Sequence, residues 1–265
     1  MKAMQTAKSP SEMASLDGRV ALTTGAGSGI GQAGALALGR CGAHVIVTDL
    51  VTEQAEATAS AITDAGGSAE AFGLDMRDDV TVENAIKGVI TTHARLDILH
   101  SHAGIQIEGT LEQVTPIGMD ESWRLNVRSH FVAARAVIGQ MRAQGGGSVI
   151  VTSSNSGVQY DREMIAYATT KHAVVAMVRQ MAADYARHNV RFNALCPGWV
   201  DTPFNAGFEA QMGGRVALEK YVANNIPMGR WASASEIADA IVFLASDMSS
   251  YMTGQALVID GGECI

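Results

Sequence analysis

Cysteine is scarce: Cys41, Cys196 and Cys264 are the three in 265 residues. They lie far apart and fit neither a disulfide framework nor a metal-ligand spacing, so a cross-linked scaffold is excluded, no metal is expected, and a reducing cytoplasm is the simplest home. Proline is almost as rare, five in all, and no Pro- or Ser-rich stretch divides the chain, so two domains joined by a linker are not expected. Clustered positive charge is missing as well. With 19 Lys and Arg against 27 Asp and Glu, the net charge is −8 and the pI about 5.3, which leaves neither a nucleic-acid backbone nor an anionic membrane a landing site. The expected partner is a small molecule. No run approaches the ~18 consecutive apolar residues of a membrane span. Residues 1–16 mix Lys2, Lys8, Pro10 and several serines without the apolar core of a signal peptide, and read as a flexible tail before a single domain over 17–265.

What is present is a repeating strand and helix pattern, with 47% hydrophobic residues, ample for one large core. Arg19-Val-Ala-Leu-Thr23 is an apolar run that leads into Thr24-Gly-Ala-Gly-Ser-Gly-Ile-Gly31, followed by Ala- and Leu-rich sequence: strand, glycine turn, helix. Gly25, Gly29 and Gly31 remove side chains where the backbone turns tightly. The helix start at Ser28, Gly29 and Ile30 then offers unpaired N–H groups to a pyrophosphate. A second strand, Ala43 to Asp49, ends in an acid that suits a ribose 2′-hydroxyl and repels a 2′-phosphate. Leu50 follows it and the turn has no Lys or Arg, so the cofactor expected is NAD, not NADP.

The alternation continues with a helix at about 53–65, a strand over 71–74 closed by Asp75 and Met76, a helix at about 79–93, and a strand over 96–99 that runs into His100-Ser-His-Ala-Gly104. A helix over about 120–142 carries Asn126. Further strands cover Gly147 to Ser154, Arg191 to Cys196, which stops at Pro197-Gly198, and Ala256 to Asp260. The pattern predicts an α/β fold: a doubly wound, parallel, seven-stranded sheet with helices on both faces. Residues 203–229 break the rhythm while keeping Phe204, Phe208 and Met212, and read as a substrate lid. Ser233-Ala-Ser-Glu236 has the form of a capping box.

Tyr167-Ala-Thr-Thr-Lys171 sets a phenol and an ammonium on one face of a helix whose apolar positions Val174, Met177, Val178 and Met181 recur at spacings of three and four. A cation near a phenol favours the phenolate, which makes the pair a general acid/base candidate. Ser154, at a strand end, could donate to a carbonyl oxygen or an alkoxide, or could simply cap the strand.

Taken together, Thr24-Gly-x-x-x-Gly-Ile-Gly31, Asp49, Asp75, Asn126, Ser154, Tyr167-x-x-x-Lys171 and Pro197-Gly198 resemble the short-chain dehydrogenase/reductase family, from about residue 17 to the C-terminus. The resemblance implies a Rossmann-type fold and an oxidoreductase acting on CH–OH groups. It implies that Ser154 polarises the substrate oxygen, Tyr167 exchanges its proton, Lys171 binds nicotinamide ribose and lowers the tyrosine pKa, and Asn126 holds a relay water. It further implies that Asp75 and Met76 flank adenine, and that Pro197, Gly198, Val200 and Thr202 meet the nicotinamide end. Relatives are usually tetramers built on the two long helices and the last helix and strand, so a homotetramer is expected.

One departure stands out: Ser101-His-Ala-Gly104 replaces the family's Asn-Asn-Ala-Gly. Ala103 and Gly104 still permit close cofactor approach, while His102 either touches substrate or cofactor or replaces a structural hydrogen bonder. A non-catalytic NAD-binding sensor is the rival reading, and the intact Ser, Tyr, Lys and Asn favour the enzyme. The segment from Asn155 through Arg162 and Met164 is rich in hydrogen-bonding groups, which suits a polyol or a sugar-derived hydroxy acid, with Arg162 on its carboxylate. Phe204, Phe208 and Met212 would equally suit an alicyclic or aromatic alcohol.

Overall fold

Seven strands, β1 (Val20–Thr24), β2 (His44–Asp49), β3 (Ser68–Gly73), β4 (Ile98–Ser101), β5 (Gly147–Thr152), β6 (Val190–Pro197) and β7 (Ala256–Ile259), form one sheet in the computed structural model, which describes residues 8–265. Their order is β3-β2-β1-β4-β5-β6-β7 and every pairing is parallel. The central strands β1, β4 and β5 are buried along almost their whole length, as a sheet covered on both faces requires. At the edge, β3 alternates exposed with half-buried residues.

The helices are α1 (Pro10–Ala14), α2 (Gly29–Arg40), α3 (Thr52–Asp64), α4 (Asp79–His93), α5 (Pro116–Trp123), α6 (Ser129–Ala143), α7 (Ile165–Tyr185), α8 (Ala206–Gln211), α9 (Arg215–Asn225) and α10 (Ala234–Ala245). One core layer joins the sheet to α2, α3 and α10 through residues such as Leu38, Ile62, Ile241 and Leu244. The other joins it to α4, α6 and α7 through Ile86, Val137, Met141, Val174 and Val178. Gly34 is what lets α2 and α10 close: a Cβ there would stand 2.7 Å from the Ile241 Cδ1. The Ser233 and Glu236 capping box starts α10 as its sequence predicts.

Two expectations need correction. The tail expected over 1–16 is ordered from residue 8 on. Ser9 and Glu12 form a capping box at α1, Lys8 pairs with Asp247 at 2.8 Å, and Leu16 is fully buried, while residues 1–7 lie outside those described. The helix expected over 120–142 starts at Pro116 and is interrupted by a π-helical turn, Arg124–Arg128, centred on Asn126. The lid segment is largely helical, made of a short turn at Pro203–Asn205 followed by α8 and α9. No helix among the described residues is long and apolar enough to cross a membrane.

Candidate active site

Because all strands point the same way, their carboxyl ends share one sheet edge, and the chain reverses its direction of winding between β1 and β4. A crevice opens there, as it does in open α/β sheets. A cavity of about 920 Å³ occupies this position. Gly25, Ser28, Gly29 and Ile30 after β1, Asp49 and Leu50 after β2, Asp75 and Met76 after β3, and His102, Ala103 and Gly104 after β4 line one part of it. Ser154, Asn155, Arg162, Met164, Tyr167, Lys171, Pro197, Gly198, Val200, Thr202, Phe204 and Phe208 line the rest.

The glycine turn is shaped by close approach. Gly25 has φ +64° and a Cβ there would meet the Ala103 Cα at 2.9 Å, while a Cβ on Gly31 would fall 2.1 Å from the Gly25 carbonyl oxygen. Gly31 does not itself line the cavity, so its part is to let turn and helix pack. Ser28 begins α2 without a side-chain cap, which leaves the first-turn N–H groups free at the cavity. Such a cradle fits a pyrophosphate.

At the end of β2, Asp49 is held by its own neighbourhood: Oδ2 accepts from the Gly27 N–H at 2.9 Å and Oδ1 from the Val51 N–H at 3.1 Å. Asp75 is less free than expected. Arg77, which the sequence did not flag, also lines the cavity and grips both carboxylate oxygens, Nε to Oδ1 at 2.9 Å and an outer nitrogen to Oδ2 at 2.8 Å. That grip holds the Asp75 carboxyl below its usual range. Met76 touches the same region but is 4% exposed and mostly part of the core. Asp78 caps α4, accepting from the Val80 and Thr81 N–H groups.

The histidine departure after β4 is resolved by hydrogen bonds. His102 Nδ1 lies 3.1 Å from the Thr152 Oγ1, and the same hydroxyl meets His100 Nε2 at 3.1 Å. Burial, with Lys171 nearby, takes the His102 pKa down to about 4, so it is neutral at physiological pH. It bonds β4 to β5 and also presents a surface to the cavity.

Tyr167 lies in the first turn of α7 and Lys171 one turn on, both nearly fully buried. The Lys171 Nζ donates to the Thr152 carbonyl at 3.1 Å and stands 5.4 Å from the Tyr167 ring centroid. Ser154 caps the turn Asn155–Gly157, accepting from the Ser156 N–H at 3.2 Å and donating to the Asn155 Oδ1 at 3.0 Å. The electrostatics differ from expectation. Burial pushes the Tyr167 pKa up to about 12, against the pull of the Ser154 hydroxyl, and lowers that of Lys171 to about 8. Desolvation of the buried phenol is the largest contribution to its shift.

Asn126 falls outside the cavity lining. Its Oδ1 accepts from the Ile105 N–H at 2.8 Å, and its Nδ2 donates to the Ile105 carbonyl at 2.9 Å and to the Thr170 Oγ1 at 3.1 Å. Thr170 in turn donates to the Tyr167 carbonyl at 2.7 Å. The amide is thus committed to pinning the chain after β4 against α7, and it has no side-chain donor left for the water that the resemblance assigns to it.

At the substrate end, Arg162 is exposed and makes no ion pair among the described residues. Its acidic neighbours are taken. Glu163 accepts from the Gln211 Nε2 at 2.8 Å, and Asp161 from the Gln159 Nε2 at 3.3 Å. Glu163 has φ +59°, an uncommon conformation for a residue with a side chain, and its carbonyl is fixed at 2.5 Å from the Gly109 N–H. The aromatic wall is Phe204, 6.3 Å from Tyr167 between centroids, and Phe208 edge-on to Trp199 at 4.7 Å. A residue missed in the sequence is Glu263. The turn at Gly261 and Gly262, with φ +68° and +92°, hooks the chain back so that Glu263 lines the cavity. It accepts from Asn155 Nδ2 at 2.7 Å and Trp199 Nε1 at 3.1 Å, and burial raises its pKa. Only an acid after a glycine pair marks it in the sequence.

A family model described as enoyl-(acyl carrier protein) reductase matches residues 25–263. The chain is 36% identical over 249 residues to 2-keto-3-deoxy-L-fuconate dehydrogenase of Xanthomonas campestris, covering 93% of this chain and 80% of that protein. Among solved structures, a gluconate 5-dehydrogenase from Burkholderia cenocepacia in complex with NADP and tartrate superposes with a TM-score of 0.90 at 32% identity, covering 96% of this chain and 98% of that one. A 7α-hydroxysteroid dehydrogenase complexed with NADH and 7-oxo glycochenodeoxycholic acid also gives 0.90, at 29% identity and the same coverage.

Proposed function

Since the chain belongs to the short-chain dehydrogenase/reductase family, we propose that it is an NAD-dependent dehydrogenase of a secondary alcohol borne on a small, carboxylate-bearing polyol of the sugar-acid type. The observation that carries the substrate class is the Arg162 guanidinium, without an ion-pair partner among the described residues, on the wall of the same cavity as Ser154 and Tyr167. An unpaired guanidinium suits a carboxylate in two-pronged geometry. The Glu263 carboxylate on the cavity wall supplies acceptor oxygens for hydroxyls, each of which needs a partner once taken from water. Two relatives act on or bind such acids by name, the fuconate dehydrogenase and the gluconate dehydrogenase with tartrate. The steroid and levodione enzymes among the relatives favour the second reading, an alicyclic alcohol against Phe204 and Phe208.

Gly25, Ser28, Gly29 and Ile30 would hold the pyrophosphate, Asp49 the adenosine ribose, and Lys171 with Pro197, Gly198, Val200 and Thr202 the nicotinamide end. When bound, nicotinamide supplies the hydride acceptor. Ser154 Oγ donates to the substrate oxygen and fixes its position, while Tyr167 Oη takes the hydroxyl proton in oxidation and returns it in reduction. NAD is preferred over NADP because the Asp49 carboxylate stands where a 2′-phosphate would need a cation, and Arg77 is clamped on Asp75.

The test follows NADH absorbance with NAD and a panel of sugar-derived hydroxy acids, neutral polyols and alicyclic alcohols, using wild type and Arg162→Ala. The hydroxy acids should be the best substrates, and the variant should raise KM for them about 10- to 100-fold, the worth of a charge-assisted pair, with little change for neutral alcohols. Activity confined to apolar alcohols, or an equal effect on both classes, would overturn the substrate assignment.

A further inference from the structure

Opposite the cavity, at the amino-terminal edge of the sheet, three side chains from three elements meet. His44 opens β2, Glu70 lies within β3, and His93 closes α4. One ligand-type atom from each lies within 4.8 Å of the others. The two imidazoles are 4.8 Å apart between centroids and tilted by 42°. The His93 Nε2 is already 2.9 Å from the Glu70 Oε1.

His44 supplies the observation that an ion pair does not explain. Its Nδ1 is 2.7 Å from the Ser68 Oγ, while its Nε2 is buried and has no hydrogen-bond partner among the described residues. Buried polar atoms in folded proteins are nearly always partnered, so this nitrogen requires an explanation. A histidine that donates through one ring nitrogen to a neighbouring oxygen has its lone pair fixed on the other, which is how protein ligands to zinc are oriented. Ser68 is placed to do this for His44, since the two residues face each other in the β2 and β3 register.

We propose that His44, Glu70 and His93 form a binding site for a divalent transition-metal ion of the zinc class. Two imidazoles and a carboxylate match the ligand preferences of zinc, cobalt or nickel rather than of calcium or magnesium, which take oxygen ligands. Metal–ligand distances of about 2.0–2.2 Å put tetrahedral ligand atoms about 3.3 Å apart, so the cluster needs to contract by only about 1.5 Å at its widest separation. The Glu70 side chain, 46% exposed, has room to swing. A fourth position stays open to water.

The site joins β2, β3 and α4 and has no route to the reacting atoms: Asp49, at the other end of β2, is about 16 Å away at ~3.3 Å per residue. Its role is structural. Sequence spacing hides it, because the three residues come from separate elements and only the sheet brings them together.

The experiment uses the full chain, stripped with a chelator, titrated with Zn²⁺ by calorimetry and with Co²⁺ by visible absorption, alongside His44→Gln, His93→Gln and Ser68→Ala. Wild type should bind one Zn²⁺ per chain, melt several degrees higher in its presence, and give a Co²⁺ spectrum with nitrogen ligation. His93→Gln, at the partly exposed end of α4, should lose at least 100-fold in affinity, and Ser68→Ala about 10- to 100-fold, with NAD binding unchanged in both. His44→Gln should behave as His93→Gln does where near-UV circular dichroism shows it folded. Zn²⁺ affinity equal in wild type and His93→Gln, or no stoichiometric binding by wild type, would overturn the assignment.

Discussion

The Lys171 ammonium stands 5.4 Å from the centre of the Tyr167 ring while its hydrogen bond goes to the Thr152 carbonyl, not to the phenol oxygen. The two groups are coupled through their shared burial. Each is held toward its neutral form, the phenol with its proton on and the amine with a lowered affinity for its proton.

Tyr167→Phe removes the transferable proton and little else from the cavity. Turnover should fall by at least about 1000-fold, within the usual range for a lost general acid/base, while NAD affinity measured by fluorescence titration stays within about twofold. The wild-type oxidation rate should climb with pH, since a proton acceptor is required. A Tyr167→Phe enzyme that retains turnover contradicts the proposed proton path.

Lys171 gives a prediction about stability. Its folded pKa, about 8, lies below its ordinary 10.5, so between these values the unfolded chain binds more protons than the folded one. Stability therefore rises with pH across that window, by up to about 1.4 kcal/mol per unit, and the cost of burying the charge is present in full below pH 8. Tyr167 acts in the opposite sense above pH 10, where the unfolded phenol ionises first. Denaturant melts from pH 7.5 to 9.5 should show the rise in wild type and a flatter profile in Lys171→Met; equal slopes would refute it.

Asp49→Ser combined with Leu50→Arg removes the carboxylate and adds a guanidinium beside the same ribose. The ratio of kcat/KM for NAD to that for NADP should drop by about 10- to 100-fold, the worth of one or two charge-assisted hydrogen bonds. Native enzyme that uses both cofactors equally well would remove the role given to Asp49.

Gly31→Ala puts a methyl group 2.1 Å from the Gly25 carbonyl oxygen, and a backbone atom cannot rotate away. The turn must shift, so cofactor affinity should fall more than 10-fold and the melting temperature by several degrees. By contrast, Gly88→Ala on α4, where a Cβ meets nothing within 4 Å, should stabilise slightly through helix propensity. Equal behaviour of the two variants would show that the close approach is not what the turn requires.

The sheet was legible because its strands are buried on both faces and so appear as short apolar runs between turn residues. Asp49, Ser154 and Tyr167 were legible because each follows such a run or keeps a helical spacing. The pairing of Asp75 with Arg77 was not, since two residues at that spacing meet only when the chain after β3 turns back on itself. Glu263 was hidden for the same reason: its position depends on the hook at Gly261 and Gly262, which is set by the packing of Gly261 on Ile226 and of Gly262 on Pro227. The Tyr167 pKa went opposite to the simple pairwise argument because burial, which the sequence does not quantify, is the largest effect.

The π-helical turn at Arg124–Arg128 bears on how this chain tolerates insertions and deletions. Such a turn holds one residue more than an α-helix would, and each residue advances a helix by about 100°. Removing one residue within 124–128 would let α5 and α6 run on as one regular helix with both outer ends in register. The scaffold should accept that deletion more readily than any other in the helix, yet it would rotate Asn126 off Ile105 and Thr170 and release the chain after β4 from α7. An alignment of a relative with a straight helix here should therefore place its gap inside this turn. The extra residue works against a uniform helix and in favour of a fixed wall beside Tyr167.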